Sequence, residues 1–170
     1  MWYSLFQTKF GWFGLKWSTA GLVRLTFGHR TQHQCSDQLS LEQAQADNHS
    51  TEYSQLSEQL QAYAEGVAVD FADTTLDLRT MTPFRLRATK ACRKVRYGQT
   101  ISYAELARRA GSPQAARAAG NVMSKNPIAI IVPCHRIIGS ANSLGGFSAP
   151  DGINMKRRLL EMEANAPNFT

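Results

Sequence analysis

Between Ser102 and Met123 the chain reads SYAELARRAGSPQAARAAGNVM, and no other stretch limits the fold so sharply. Ser102 is a helix N-cap with Glu105 three residues on, the spacing of a capping box, so a helix is expected from Tyr103 to Ala110. Gly111 stops it. Ser112-Pro113 then reads as a cap and a first-turn proline that open a second helix, QAARAAGNVM. Helix, short glycine-containing turn, helix is the helix-turn-helix pattern, and Lys125-Asn126-Pro127 ends it. In the second helix Ala115, Ala116, Ala118, Ala119 and Gly120 surround one long cation, Arg117. A helix that reads base edges in the major groove needs several long polar side chains. Small residues instead let a backbone approach a duplex closely, and a single arginine suits a minor groove or a gap in the base stack. Tight packing against another helix is the bland alternative.

Around this pair the punctuation predicts a second unit beginning near Met81–Pro83. A basic helix runs from Phe84 to Val95, RYGQT turns the chain, IAIIV is an apolar strand leading into Pro133-Cys134, and MKRRLLEME (Met155 to Glu163) is a final amphipathic helix. In the first unit, residues 1–28 alternate aromatic and aliphatic positions between Gly11, Gly14, Gly21 and Gly28, as short antiparallel strands would. Residues 29–50 are polar and read as a loop; its His29, His33, Cys35 and His49 fit no ligand spacing, so no metal is expected. Tyr53, Leu56, Leu60 and Tyr63 recur at helical intervals from Thr51 to Glu65, and Gly66 ends that helix.

The charge is lopsided. Net charge is +6, and between Arg79 and Arg136 twelve basic residues face a single acid, Glu105. A polyanion such as nucleic acid is the simplest partner for such a block; a solvated basic face is the alternative. No apolar run nears the roughly 20 residues of a spanning helix, and MWYSLFQTKFGWFG carries no basic leader, so a cytoplasmic protein without membrane attachment is expected. The three cysteines make no CxxC pair, so each is expected as a free thiol.

The chemistry concentrates in IIVPCHRIIG, residues 130–139. Taken singly, Cys134 reads as a buried inert thiol, His135 as a satisfied core imidazole, Glu163 as a surface carboxylate and Asn126-Pro127 as a turn. Taken together, PCHRII preceded by RAAGNVMSKNP and YGQTISYAELA resembles the O6-alkylguanine-DNA alkyltransferase family, the methylated-DNA–protein-cysteine methyltransferases. The resemblance covers the whole second unit and extends loosely over the first. It implies an α+β chain: an RNase H-like N-terminal domain over residues 1–80, with a small antiparallel sheet and a helix, then a mainly helical winged helix-turn-helix domain over residues 81–170. It also implies direct damage reversal. A monomer binds alkylated double-stranded DNA through the minor groove, everts O6-alkylguanine (O4-alkylthymine being a further candidate), and moves the alkyl group irreversibly onto Cys134 without a cofactor. His135 would take the thiol proton through a water, Glu163 would orient the imidazole, and Asn126 would brace the turn. Tyr103 would press on the phosphate backbone and Arg117 would fill the space of the everted base. Arg85, Ala104, Ser112 and Ser140 would line the DNA surface, and Met123, Ile137, Phe147 and Ser148 the base pocket.

The residues support this chemistry independently. Displacement at an alkyl carbon needs a soft nucleophile, and a thiol of pKa about 8.5 needs a base or a cationic neighbour to ionise near neutrality. If Pro133-Cys134 continues an extended strand, Cys134 and His135 point to opposite sides, which favours a relay over a direct bond. Arg136 is expected to anchor the turn through backbone carbonyls. The chain departs from the family at Ala88-Thr89, where many relatives carry Val-Trp, at a longer GGFSAPDG segment, and at Phe147 in place of tyrosine. Three other readings differ in what they need. An alkyltransferase-like sensor would lack Cys134, a winged-helix regulator would carry base-reading side chains on residues 114–123, and a cysteine hydrolase would need an oxyanion-hole motif.

Overall fold

Apolar residues set between glycine turns along residues 2–29 build a meander of β1 (Trp2–Thr8), β2 (Gly11–Ser18) and β3 (Gly21–His29), antiparallel in sequence order. The computed structural model describes residues 1–41, 44–46 and 51–166. Its described residues fall into two compact units, Met1–Asp77 with Pro127–Ala129, and Leu78–Asn126 with Ile130–Thr170. Among them no helix is long and apolar enough to cross a membrane, and no three His, Cys, Asp or Glu side chains gather as metal ligands. His49 lies outside the described residues.

In the first unit Gly11 turns β1 into β2 with φ of 102°, and a Cβ there would stand 2.5 Å from the His29 carbonyl oxygen. β1 and β2 pair from Trp2 with Trp17 to Thr8 with Gly11, and β4 (Gln45–Ala46) adds parallel to β1 at its start, giving the order β3-β2-β1-β4. On one face Trp17 stacks on Tyr53 of α2 (Thr51–Ala64), ring centroids 4.0 Å apart. Leu56, Leu60 and Tyr63 are the buried stripe of that helix, each worth roughly 1.5–3 kcal/mol of transfer free energy. On the other face lies α1 (Gln32–Leu39), and glycine at position 14 lets it approach: a Cβ would stand 2.6 Å from Leu39 Cδ1 and 2.8 Å from Cys35 Sγ.

α1 overturns the reading of residues 29–50 as a loop throughout. Its start has a chemical cause: Thr31 Oγ1 accepts from Gln34 N–H (3.2 Å), and Gln34 Oε1 accepts from Arg30 N–H (3.2 Å). Cys35 and Leu39, one turn apart, bury its inner face. Burial pushes the Cys35 thiol up to about 12, which makes it a packing residue.

The second unit holds α3 (Pro83–Arg93), β5 (Ile101–Ser102), α4 (Tyr103–Arg109), α5 (Ala116–Ser124), β6 (Ile137–Ile138) and α6 (Gly152–Asn165). Ser102 caps α4, accepting from Glu105 N–H at 3.1 Å. The Glu105 carboxylate turns instead to Arg108 and Arg109, both at 2.7 Å, so only half of the capping box forms. The second helix of the pair starts later than expected. Residues 112–115 make a turn closed by Ala115 N–H on the Ser112 carbonyl (2.9 Å), and Ala115, without a side-chain cap, precedes α5.

The IAIIV segment is not a strand. Ile128 forms a single bridge with Leu25 of the first unit, and Ile130 turns with φ of 68°, a conformation rare for a β-branched residue. A short apolar run signals burial, and Ile128, Ile130, Ile131 and Val132 are all buried; it does not specify a ladder. Beyond it Cys134–Arg136 form one 3-10 turn, replacing the extended geometry from which opposite-facing Cys134 and His135 were inferred. Parallel pairing of β5 with β6, Ile101 to Ile137 and Ser102 to Ile138, sets that turn beside the start of α4.

Candidate active site

The 3-10 turn presents Cys134, His135 and Arg136 from a buried backbone, with exposures of 6%, 0% and 6%. Cys134 N–H donates to the Val132 carbonyl (2.7 Å), which tightens the chain before the thiol. Asn126, just past α5, donates from Nδ2 both to that carbonyl (2.8 Å) and to Cys134 Sγ (3.1 Å). One amide therefore fixes the turn and favours a negative sulfur.

Behind the thiol stands a charged cluster. His135 Nε2 and Glu163 Oε1 are 2.8 Å apart. Arg136 donates from Nε to Glu163 Oε2 (2.9 Å) and from Nη2 to Oε1 (2.9 Å), and from Nη1 to the Val95 carbonyl (2.7 Å). Gly98 N–H donates to Oε2 at 3.0 Å, so both carboxylate oxygens are doubly engaged and the turn after α3 is tied to α6. Burial alone would raise the Glu163 carboxyl. The His135 hydrogen bond and the Arg136 guanidinium outweigh burial and hold it well below the usual carboxylate range. An anionic Glu163 makes Nε2–H the donor and leaves Nδ1, also buried, as the basic nitrogen. Burial holds the imidazole below its ordinary value against the opposing pull of Glu163, so His135 is neutral near pH 7.

Burial likewise raises the Cys134 thiol. The Asn126 amide, the Lys156 charge and the backbone N–H groups of Cys134 and His135 oppose it. At rest the sulfur is a protonated thiol with a neutral base close by and a surround that tolerates its anion.

Cys134 opens into a cavity of about 350 Å³ lined by Tyr103, Gly120, Asn121, Met123, Ser124, Gly146, Phe147 and Ser148. Of the expected pocket residues, Met123, Phe147 and Ser148 line it. Ile137 does not; it is fully buried and serves the β5–β6 pair. Tyr103, expected on the phosphate backbone, is a cavity wall, and burial raises its phenol. Arg117 is exposed on α5, Ala104 and Ser140 are exposed, Ser112 is half-buried in the turn, and Arg85 donates to the Lys125 carbonyl (2.9 Å) at the C-terminal end of α5. None of these five lines the cavity.

Lys156 was not anticipated. It is fully buried, donates from Nζ to the Ile137 carbonyl (2.7 Å) and stands 6.0 Å from the centre of the Tyr103 ring. A signal for it existed: Lys156 precedes Glu163 by seven residues, two helical turns, on the stripe that buries Met155 and Leu159. Gly120, Asn121 and Ser124 lie within the RAAGNVMSKNP stretch but were not expected in the pocket.

Residues 83–165 match the family model for the 6-O-methylguanine DNA methyltransferase DNA-binding domain. The methylated-DNA–protein-cysteine methyltransferase of Mycobacterium tuberculosis is 51% identical over 106 residues, 62% of this chain and 62% of that protein. That of Metallosphaera sedula is 39% identical over 124 residues, 73% of this chain and 74% of that protein. The chain thus spans about 62% of the length of the mycobacterial relatives it matches in sequence. A crystal structure of Mycobacterium tuberculosis OGT in complex with DNA superposes with a TM-score of 0.80 at 37% identity, covering 99% of this chain and 96% of that one. The matched stretch, residues 83–165, spans Asn126, the Cys134–Arg136 turn and Glu163, and this chain belongs to the methylated-DNA–protein-cysteine methyltransferase family.

Proposed function

We propose that the protein repairs DNA by moving an alkyl group from O6 of guanine onto Cys134, once per molecule. The observation that carries this reading is the Cys134 sulfur at the wall of a base-sized cavity, 3.1 Å from the Asn126 amide and backed by the His135–Glu163 pair. His135 Nδ1 takes the thiol proton through one water, and the imidazolium so formed faces an anionic Glu163. The sulfur attacks the alkyl carbon, the S–C bond forms as the C–O6 bond breaks, and the guanine leaves with the bonding pair and is protonated. Asn126 and Lys156 stabilise the thiolate before attack. The stable thioether gives no route back, and the exchange needs no cofactor.

A stacked duplex hides O6, so the base must be everted, which costs a few kcal/mol. Arg117, with small neighbours on α5, enters from the minor groove and occupies the gap, while Tyr103 walls the pocket at the start of α4. The finer architecture that goes with this reading is an RNase H-like unit over residues 1–80 and a winged helix-turn-helix unit over residues 81–170. The protein acts as a monomer in the cytoplasm, on the nucleoid when bound. O4-alkylthymine is a second candidate substrate.

Intact-protein mass after incubation with a duplex holding one O6-methylguanine tests the proposal. A stoichiometric gain of one methyl in the unsubstituted protein, lost in Cys134→Ala, is expected. Lesion binding without a mass change would instead make the protein a sensor.

A further inference from the structure

The second unit carries far more positive charge than its pocket uses. Residues 78–170 hold fifteen of the nineteen Lys and Arg but four of the thirteen Asp and Glu. On α3 and its C-cap, Arg87, Lys90 and Lys94 follow at spacings of three and four and so share a helix face; Arg87 also donates from Nε to the Ala110 carbonyl (2.8 Å), and Arg96 lies two residues past the cap. All four are exposed, while Ala88, Thr89, Ala91 and Cys92 are buried on the other face. No acid occurs between Arg79 and Ala104, and none of the four forms an ion pair among the described residues.

Helix-dipole compensation accounts for only part of the stripe. Lys90 and Arg93 in the last turn supply it, at about 0.3–1 kcal/mol each, which leaves Arg87 and Arg96 unexplained. Like charges at these spacings cost a few tenths of a kcal/mol per pair, a cost that a bound polyanion removes.

The stripe also sits apart from the cavity. No cavity-lining residue comes from α3 or from the turn after it. That turn meets the cluster behind the thiol: Gly98 N–H on Glu163, and the Val95 carbonyl on Arg136. Cys134 faces the cavity, Glu163 lies behind His135, and Lys94 and Arg96 flank Val95 beyond that. None of these four residues is among those lining the cavity into which the base is everted.

We propose that the basic surface of α3 and the turn after it, formed by Arg87, Lys90, Lys94 and Arg96, binds the phosphate backbone of a second duplex segment while the first is held at the Cys134 cavity. This rests on the DNA-directed function above. From Arg87 to Lys94 the helix rises about 10 Å, which matches about three phosphates along one strand. The binding is indifferent to sequence and to damage. It lets a protein held on one segment contact another, and so transfer between segments without free diffusion.

The test immobilises a short duplex carrying O6-methylguanine, loads it with full-length Cys134→Ala protein so that the lesion stays bound, and measures capture of a fluorescent undamaged duplex over a range of salt. Capture is expected. Lys90→Gln/Lys94→Gln/Arg96→Gln should reduce it at least tenfold and lower the slope of log affinity against log salt by about 2.7, at 0.9 per lost contact. Lys90→Arg/Lys94→Arg/Arg96→Lys should restore both. Absence of capture, or a glutamine variant that captures with an unchanged slope, overturns the proposal. Reaction of the same glutamine substitutions, with Cys134 intact, with free O6-benzylguanine should stay at the unsubstituted rate; a protein that fails to react there at all refutes the alkyl-transfer reading, and not this one.

Discussion

Glu163→Gln isolates the charge that organises the site, because glutamine keeps the shape and removes only the anion. In the folded protein each carboxylate oxygen accepts from at least two donors: Oε1 from His135 Nε2, Arg136 Nη2 and, at 3.2 Å, Arg136 Nε, and Oε2 from Arg136 Nε and Gly98 N. Whichever oxygen becomes an NH2 group then meets two donors head-on. Arg136, whose side chain is 7% exposed, also loses its counter-ion and keeps the Val95 carbonyl and the Tyr97 ring. Breaking a buried pair of this kind costs about 3–5 kcal/mol. For a protein this size each kcal/mol moves Tm by about 2–4 °C, so the loss should be about 6–20 °C. Arg136→Met alone should cost a similar amount, since it strands the carboxylate. The double variant removes both charges and should be more stable than the sum of the two losses by about 2–3 kcal/mol, the upper range for directly coupled residues. Urea unfolding of all four proteins at neutral pH gives the coupling. A Glu163→Gln loss under about 1 kcal/mol, or additive losses, would mean that the cluster is hydrated and weakly coupled, and the case for a fixed base behind Cys134 would fail.

Three further outcomes follow from the same coordinates. Glu163 is held below the usual carboxylate range, His135 below that of imidazole, and burial raises Cys134 and Cys92 above that of a thiol. The first two bind fewer protons folded than unfolded, so their stabilisation is lost as pH falls below about 6.5 and then about 4.3; the thiols bind more, so theirs is lost as pH rises above about 8.5. Urea midpoints should form a plateau between those limits, and a midpoint that rises on acidification from neutrality contradicts the assignment. Asn126→Ala removes a charge-assisted donor to the nascent thiolate, worth about 1.5–3 kcal/mol, and should slow reaction with free O6-benzylguanine about 10- to 100-fold in a single-turnover assay; an unchanged rate would mean that the amide only braces the backbone. Gly14→Ala places a Cβ 2.6 Å from Leu39 Cδ1 and should cost about 1–3 kcal/mol of stability while leaving that reaction unaffected; a neutral urea midpoint would mean that α1 is not packed where it stands.

What was legible in the chain was legible for chemical reasons. Caps and glycines marked α4 and the end of α2, and aromatic and aliphatic positions set between glycines marked β1 to β3, because backbone preference and composition agree there. α1 escaped because its apolar content is only Cys35 and Leu39, although Thr31 and Gln34 spelled out its start. The IAIIV segment misled for the opposite reason: hydrophobicity reports burial without stating a partner, and the chain turned at Ile130 where a ladder had been expected. The site divides along the same line. Cys134, His135 and Arg136 are adjacent in sequence, so their association was visible, but the carboxylate that unites them is 27 residues from Arg136 and sits on another helix. Lys156 was hidden most thoroughly, because a cation on an amphipathic helix is ordinarily assigned to solvent. Its burial is affordable only where a carbonyl, an aromatic face and a nearby thiol answer it together: the Ile137 oxygen, the Tyr103 ring and Cys134. Tyr103 and Cys134 share the cavity wall, and the Lys156 charge draws the Cys134 thiol down against burial, so the residue that breaks the hydrophobic rule most severely is one that favours the thiolate. Exceptions to folding rules in this chain thus point to its chemistry more directly than the residues that obey them.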